Sequence, residues 1–280
     1  MFIIVESGST KADWVIVRDS ENFQFFRTEG INPATQVELL DLTNWFELLE
    51  QIKVAEQIFF YGAGIIDIIS SSRIKTWLCS FGFPGKLYVM EDLLAAARSC
   101  FENESGIACI LGTGSNSCVY DGKQIRNSIP TLGYILSDEG GGTKIGQEIL
   151  KSFFYGTMPD IERNIFIANY HLTKEVLVEK LYRSPGGNSY LASFAQFLTE
   201  IDGEWKGGLL KRVFREFVEL RIALYPGYES LNIKFVGSIA HFHSVYLNEV
   251  LAEYGLKAVE IIQQPIFKLI EYHIKNKIDE

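Results

Sequence analysis

Apolar positions follow a pattern that occurs twice along the chain. Phe2, Ile3, Ile4 and Val5 lead into the turn Glu6-Ser7-Gly8-Ser9-Thr10-Lys11, and an alternating run leads out, with Trp14 and Ile16 facing outward of Val15 and Val17. Short apolar runs on either side of a Gly-containing turn predict strand, tight turn, strand. A third strand is expected over Phe23 to Thr28. The loop Gly30-Ile31-Asn32-Pro33-Ala34-Thr35 follows, then a helix over Val37 to Ile52 with apolar Val37, Leu40, Trp45, Leu48, Leu49 and Ile52. Strands over Ile58 to Tyr61 and Leu87 to Met90 flank a helix over Asp67 to Cys79, and another helix opens at Glu91-Asp92.

The order then restarts. Ile107 to Leu111, the turn Gly112-Thr113-Gly114-Ser115-Asn116, Ser117 to Tyr120 and Gln124 to Ser128 repeat the three-strand opening. Two such openings, each with a Gly/Ser/Thr first turn, imply an internal duplication. The middle reads as helical: Lys144 to Phe154, Ile161 to Ala168, Lys174 to Tyr182, Tyr190 to Thr199 and a long helix over Gly207 to Leu224 that Pro226-Gly227 ends. A strand over Asn232 to Val236 runs into Gly237-Ser238, which opens a helix expected to carry both His241 and His243. Ala258 to Ile262 is the last strand, and Pro265 starts the last helix, a position where proline is tolerated.

Composition narrows the function classes. A net charge of −9 argues against a sequence-independent nucleic-acid surface. Cys79, Cys100, Cys109 and Cys118 form no CxxC pair, so they read as free buried thiols of a reducing compartment. The chain enters a strand at once, with no basic leader, and no apolar run approaches bilayer-spanning length. The expectation is a cytoplasmic protein.

Five stretches can carry chemistry. In the two turns, Ser7 to Lys11 and Gly112 to Asn116, small residues let backbone N–H groups approach an anion and form a phosphate-binding nest, while Thr10 and Lys11 add a hydroxyl and a cation. Ordinary glycine hairpins are the competing explanation, and the recurrence of the turn favours phosphate binding over it. The spacing is not that of a Walker A loop, and a strand rather than a helix follows. Asp92 stands where a strand ends and a helix begins. That is a ligand position in open α/β sheets, and equally a natural N-cap. As a base, its carboxylate would accept a proton from a hydroxyl attacking a phosphate. In Asp138-Glu139-Gly140-Gly141-Gly142, the entropic cost of three glycines is explained by close approach to a ligand or by a flexible loop, and Asp138 by an N-cap or by sugar hydroxyls. The Gly237-Ser238 junction gives a flat group room on the backbone and sets a helix N-terminus beside it.

Together the series Glu6 to Lys11, Glu91-Asp92, Leu111 to Asn116, Ser137 to Gly140 and Val236 to Ile239 resembles the N-acetylglucosamine kinase family. That family belongs with BadF/BadG-type ATPases in the actin, hexokinase and sugar kinase superfamily. The resemblance implies an α/β fold of two ribonuclease H-like domains with nucleotide and sugar between them. The first would comprise residues 1–105 with 263–280, and the second residues 106–262. It implies ATP-dependent phosphorylation of an amino sugar, N-acetylglucosamine foremost, at its primary hydroxyl. Asp92 would be the base. Ser7, Gly8, Ser9, Thr10, Lys11, Gly112, Thr113 and Gly114 would hold the phosphates, and Gly237 and Ser238 the adenosine. Asn32, Gly64, Thr113, Gly114 and Asp138 would hold the sugar. Glu6 would act on Mg²⁺, through water. A homodimer is the expected assembly, with no nucleic-acid or membrane partner. Leu132-Gly133-Tyr134-Ile135-Leu136 departs from the family's aromatic and His pattern, which implies an altered sugar pocket.

Two other readings compete. An ATPase that activates an acyl-CoA dehydratase-type enzyme would use cysteines such as Cys100, Cys109 and Cys118 for an iron–sulfur cluster between subunits. A non-catalytic sugar sensor would keep the pocket without the chemistry.

Overall fold

The computed structural model describes residues 1–276. It contains two compact units: residues 1–104 with 122–124 and 264 onward, and residues 105–121 with 125–263. Each is built on a five-stranded sheet.

In the first unit β1 (Phe2–Ser7), β2 (Lys11–Val17) and β3 (Phe23–Glu29) form an antiparallel meander. The helix α1 (Phe46–Val54) leads to β4 (Gln57–Gly62), α2 (Ile68–Ser80) to β5 (Lys86–Glu91), and α3 (Asp92–Phe101) completes the series. β4 lies parallel to β1, and β5 parallel to β4, so the sheet order is β3-β2-β1-β4-β5.

The second unit repeats this plan. β6 (Gly106–Leu111), β7 (Ser115–Tyr120) and β8 (Ile125–Ser128) are an antiparallel meander, and β9 (Ile233–Val236) and β10 (Ala258–Ile262) add in parallel beyond β6. Written from the meander, the order is β8-β7-β6-β9-β10, the same topology. The duplication expected from the two openings is therefore present in the strand pairing itself.

Between β8 and β9 lie α4 (Gly142–Phe154), α5 (Asp160–Tyr170), α6 (Lys174–Val178), α7 (Gly187–Ser193) and α8 (Glu204–Phe217). After β9 come α9 (Ser238–Phe242) and α10 (Ser244–Glu253), and α11 (Ile266–Asn276) returns to the first unit.

Both faces of the first sheet are covered, which corrects the expected outward face of β2. Trp14 and Ile16 pack with Ile3 and Val5 against α1 and α2, while Val15 and Val17 pack with Ile4 against α3 and α11. Alternation along β2 therefore divides two cores rather than core from water. Burying Ile16, Val15 and Val17 contributes about 1.5–3 kcal/mol for each fully buried aliphatic side chain.

Other boundaries moved for local reasons. Only Phe46–Val54 of the segment expected as helix from Val37 is α-helical, after one 3₁₀ turn at Leu42–Asn44. The Arg73 guanidinium donates to the carbonyls of Pro33, Gln36 and Val37, and the Trp77 indole N–H donates to the Leu40 carbonyl. Those carbonyls thus serve α2 instead of a helix of their own. The long helix expected to Leu224 ends as α-helix at Phe217 and continues as one π turn, Val218–Ile222. Likewise α6 passes into a π turn at Glu179–Arg183, and the helix expected over Tyr190 to Thr199 is α7 followed by a 3₁₀ turn, Phe194–Thr199. His241 and His243 are not on one helix: His241 is in α9, and His243 is the buried residue between α9 and α10. Cys79 is exposed, unlike the other three cysteines.

Candidate active site

In the first unit the parallel strands end level. Ser7 pairs with Gly62, and Gly62 with Glu91, so the residues just beyond them gather at the carboxyl end of the sheet. The first turn closes when the Gly8 N–H donates to the Lys11 carbonyl (2.9 Å). Ser7 is wholly buried and its hydroxyl is committed: it donates to the Ile31 carbonyl (3.0 Å) and accepts from the Ile31 N–H (2.8 Å). Ser7 thus pins the 30–36 loop under the turn, and any ligand contact from it is left to its backbone. Ser9 accepts from Asn32 Nδ2 (3.3 Å), so Asn32 reaches the turn directly. Asn32 Oδ1 in turn accepts from the Ala34 N–H (3.0 Å). Gly64, at φ +77°, leaves room for this amide: a Cβ there would sit 2.0 Å from Asn32 Oδ1. Two of the expected sugar-binding positions, Asn32 and Gly64, are therefore neighbours.

Glu6, Asp13 and Arg27 stand directly opposite one another across β1, β2 and β3. Asp13 was not singled out from sequence, yet it organises the charges here. Its buried carboxylate accepts from Lys11 Nζ (2.8 Å) and from Arg27 Nε (2.6 Å). Burial pushes the Asp13 carboxyl up, but the Arg27 and Lys11 bonds outweigh it and hold the pKa below the ordinary carboxylate value. The only signal for this in sequence was its place two residues after Lys11, on the same strand face.

Asp92 is the first residue of α3; Glu91 occupies the cap position and makes no side-chain cap bond. Asp92 therefore does not need to serve as the N-cap. Burial, then the nearby Glu91 charge, push its carboxyl up to about 6, against backbone N–H bonds from Leu93 and from Asp92 itself. The Glu6 carboxyl is pushed up to about 7, chiefly by burial; Lys11 opposes this, and the Asp13 and Asp92 charges add to it. Glu6 and Asp92 are thus electrostatically coupled carboxyls at one end of the sheet. Such a pair is relieved by a cation, and the donor set fits Mg²⁺, which needs only one or two carboxylates beside phosphate and water. Among the described residues there is no group of three metal-ligating side chains.

In the second unit three glycine-containing segments converge. The second turn closes with the Gly112 N–H donating to the Gly114 carbonyl (3.0 Å). Its carbonyls are held from α4, with Gly142 N–H donating to Gly112 (2.8 Å) and Thr143 N–H to Thr113 (2.9 Å). At the end of β9, Gly237 lies where a side chain would meet the Leu111 carbonyl at 2.3 Å, which brings Gly237 and Ser238 against the same turn. Asp138 adopts φ +67°, a left-handed conformation rare outside glycine. It is not the helix cap, a place that Gly141 takes. Its Oδ1 accepts from the Ser115 N–H (3.2 Å) and its Oδ2 from the Thr143 hydroxyl (3.2 Å). Gly114 permits this approach, since a Cβ there would lie 2.6 Å from Asp138 Oδ1. Burial raises the Asp138 pKa, opposed by the Ser115 and Thr143 bonds.

The departing segment 132–136 exposes Leu132, Ile135 and Leu136, while the Tyr134 carbonyl accepts from Gln147 Nε2 (3.0 Å) on α4. The cysteines are dispersed: Cys100 is buried on α3, Cys109 on β6 and Cys118 on β7. Among the described residues no helix is long and apolar enough to cross a membrane.

Two units of one topology, each with a Gly/Ser/Thr turn between its first two strands, define the paired ribonuclease H-like architecture of the actin-like ATPases. MreB5 of Spiroplasma citri bound to ADP shares this fold (TM-score 0.56, 9% identity, 100% of this chain and 98% of that one). No family model matches the chain. The N-acetylmuramic acid/N-acetylglucosamine kinase of Clostridium acetobutylicum is 32% identical over 200 residues, 67% of this chain and 64% of that protein. The match thus spans slightly less than two thirds of that curated relative. A solved structure from Porphyromonas gingivalis, described as a candidate N-acetylglucosamine kinase, is 33% identical with a TM-score of 0.87, over 99% of this chain and 100% of that one. The chain belongs to the N-acetylglucosamine kinase family.

Proposed function

We propose that the chain transfers the terminal phosphoryl group of ATP to the primary hydroxyl of an amino sugar, N-acetylglucosamine or a close relative. The observation that carries this reading is Asp92: a half-buried carboxyl at the end of the sheet, with its pKa near the operating range, coupled to Glu6 and not consumed as a helix cap. A base with a pKa just below the working pH is ionised and still accepts a proton as the hydroxyl attacks. Lys11, aimed by Asp13, offsets phosphate charge, and those N–H groups of the two turns that are not spent in closing them, as Gly8 and Gly112 are, supply fixed dipoles. Asn32, Gly64 and Asp138 orient the sugar, and Gly237 and Ser238 receive the adenosine. Glu6 would hold Mg²⁺, which when bound neutralises charge on the phosphates. Catalysis on this scheme is mainly positioning and electrostatics.

A coupled ADP-release assay over N-acetylglucosamine, N-acetylmuramic acid and glucosamine, with Mg²⁺ present or chelated, tests the reading. Sugar-dependent, Mg²⁺-dependent release is expected; ADP release that no amino sugar stimulates would overturn it. The activator reading is disfavoured because the cysteines it needs, Cys100, Cys109 and Cys118, are buried within the units.

A further inference from the structure

Arg221 lies far from Asp138 in sequence and is almost wholly buried. Its guanidinium serves the two residues flanking Asp138. Nε donates to Glu139 Oε2 (2.9 Å), and Nη2 donates to the Ser137 hydroxyl. Nη1 donates to the carbonyls of Ile129 (3.1 Å) and Pro130 (2.9 Å). The planar fork is thus spent on four acceptors, a geometry that lysine cannot copy. The Arg221 backbone works on the other side: its carbonyl accepts from the Ser117 hydroxyl (2.7 Å) on β7. Two residues earlier on that strand, Ser115 is the residue whose N–H reaches Asp138 Oδ1. Arg221 is placed for this by the π turn that replaces the end of α8, the kind of irregularity that recurs where a side chain must be re-aimed.

We propose that Arg221 is a positioning residue for Asp138, holding the 137–139 loop and β7 in register so that the Asp138 carboxylate stays seated on the second turn in its left-handed conformation. The link to sugar recognition rests on the function proposed above; the clamp itself does not. A left-handed aspartate persists only where its surroundings over-determine it, and Arg221 grips the residue on each side. The turn carbonyls of Gly112 and Thr113 are held separately, by N–H groups of α4, so loosening Arg221 leaves the turn itself in place.

The test compares the wild type, Arg221→Lys and the double variant Arg221→Met with Glu139→Met. The double variant removes the ion pair as a unit, so no buried charge is stranded. Two readouts are taken: amide exchange at Ser115 against Ile107 to Ile110 on β6, and KM for N-acetylglucosamine against KM for ATP. The clamp predicts that Ser115 exchange accelerates and sugar KM rises by about tenfold or more, with β6 protection and ATP KM changed less than about twofold. Arg221→Lys, which keeps the charge but not the fork, should fall between and supplies the same readouts if the double variant does not fold. Unchanged Ser115 exchange and sugar KM in a folded variant would overturn the proposal. So would exchange rising evenly over the sheet together with both KM values, because that is general destabilisation. If the wild type phosphorylates no amino sugar, the kinase reading fails, and the exchange comparison still decides the clamp.

Discussion

Asp92 shows how one position changes a carboxyl's chemistry. At the start of α3 it has backbone N–H partners, yet burial and the Glu91 charge outweigh them and set its pKa at about 6, from 3.8. Glu6 is moved to about 7, from 4.5. Because the two interact, activity should follow their joint titration: kcat/KM rises with pH between about 6 and about 7, as the ionised forms needed for proton acceptance and cation binding appear. Asp92→Asn should still bind ADP and lose about 10²–10⁴ of sugar-dependent turnover; near wild-type turnover would remove Asp92 from the mechanism. The same variant carries a stability signature of opposite sign. Both folded pKa values lie above the unfolded ones, so the native state binds more protons at these two groups, and the stability they contribute falls as pH rises from about 4 through about 7. Asp92→Asn escapes its share of that loss. In urea melts it should be more stable than wild type at about pH 8, with the advantage gone near pH 4.

At the scale of elements, strands and turns were legible and the helix ends less so. The two Gly/Ser/Thr turns sit where the apolar runs placed them, because a tight turn is a local backbone demand. The segment from Val37 to Asp41 failed as helix because Arg73 and Trp77, from α2, took its carbonyls. The end of α8 became a π turn around a buried arginine, which no local pattern announces. The junction after β4 gives a direct test. Gly64 combines a left-handed φ with the seat of the Asn32 amide, so Gly64→Ala must strain the backbone and displace Asn32. The expected cost is about 1–3 kcal/mol of stability in denaturant unfolding. Sugar KM should also rise, and a neutral effect on both would remove this pair from the sugar site.

For the molecule as a whole, the duplicated topology gives each unit a turn between its first two strands, and on the proposed function the net charge of −9 leaves anion binding to local N–H groups, Lys11 and a cation rather than to a basic surface. Ligands that bind the folded state stabilise it by mass action. Mg²⁺ with a non-hydrolysable ATP analogue, and N-acetylglucosamine separately, should each raise the thermal midpoint, by the equivalent of about 2.7 kcal/mol at a hundredfold excess over Kd. No shift with any amino sugar would count against the proposed substrate class.

The chain's sequence by itself determined the two three-strand openings, their glycine turns, the repeated order of strands, and the places of Asp92, Asp138 and Gly237. These follow from apolar periodicity and from the few residues that tight turns accept. Tertiary structure alone decided which partner each buried polar group found. Ser7 spends its hydroxyl on Ile31, Asp13 gathers Lys11 and Arg27, and Arg221 finds Glu139 across 82 residues. Such pairings come from the need to satisfy every buried charge and donor, and that need is set only once distant segments have packed together.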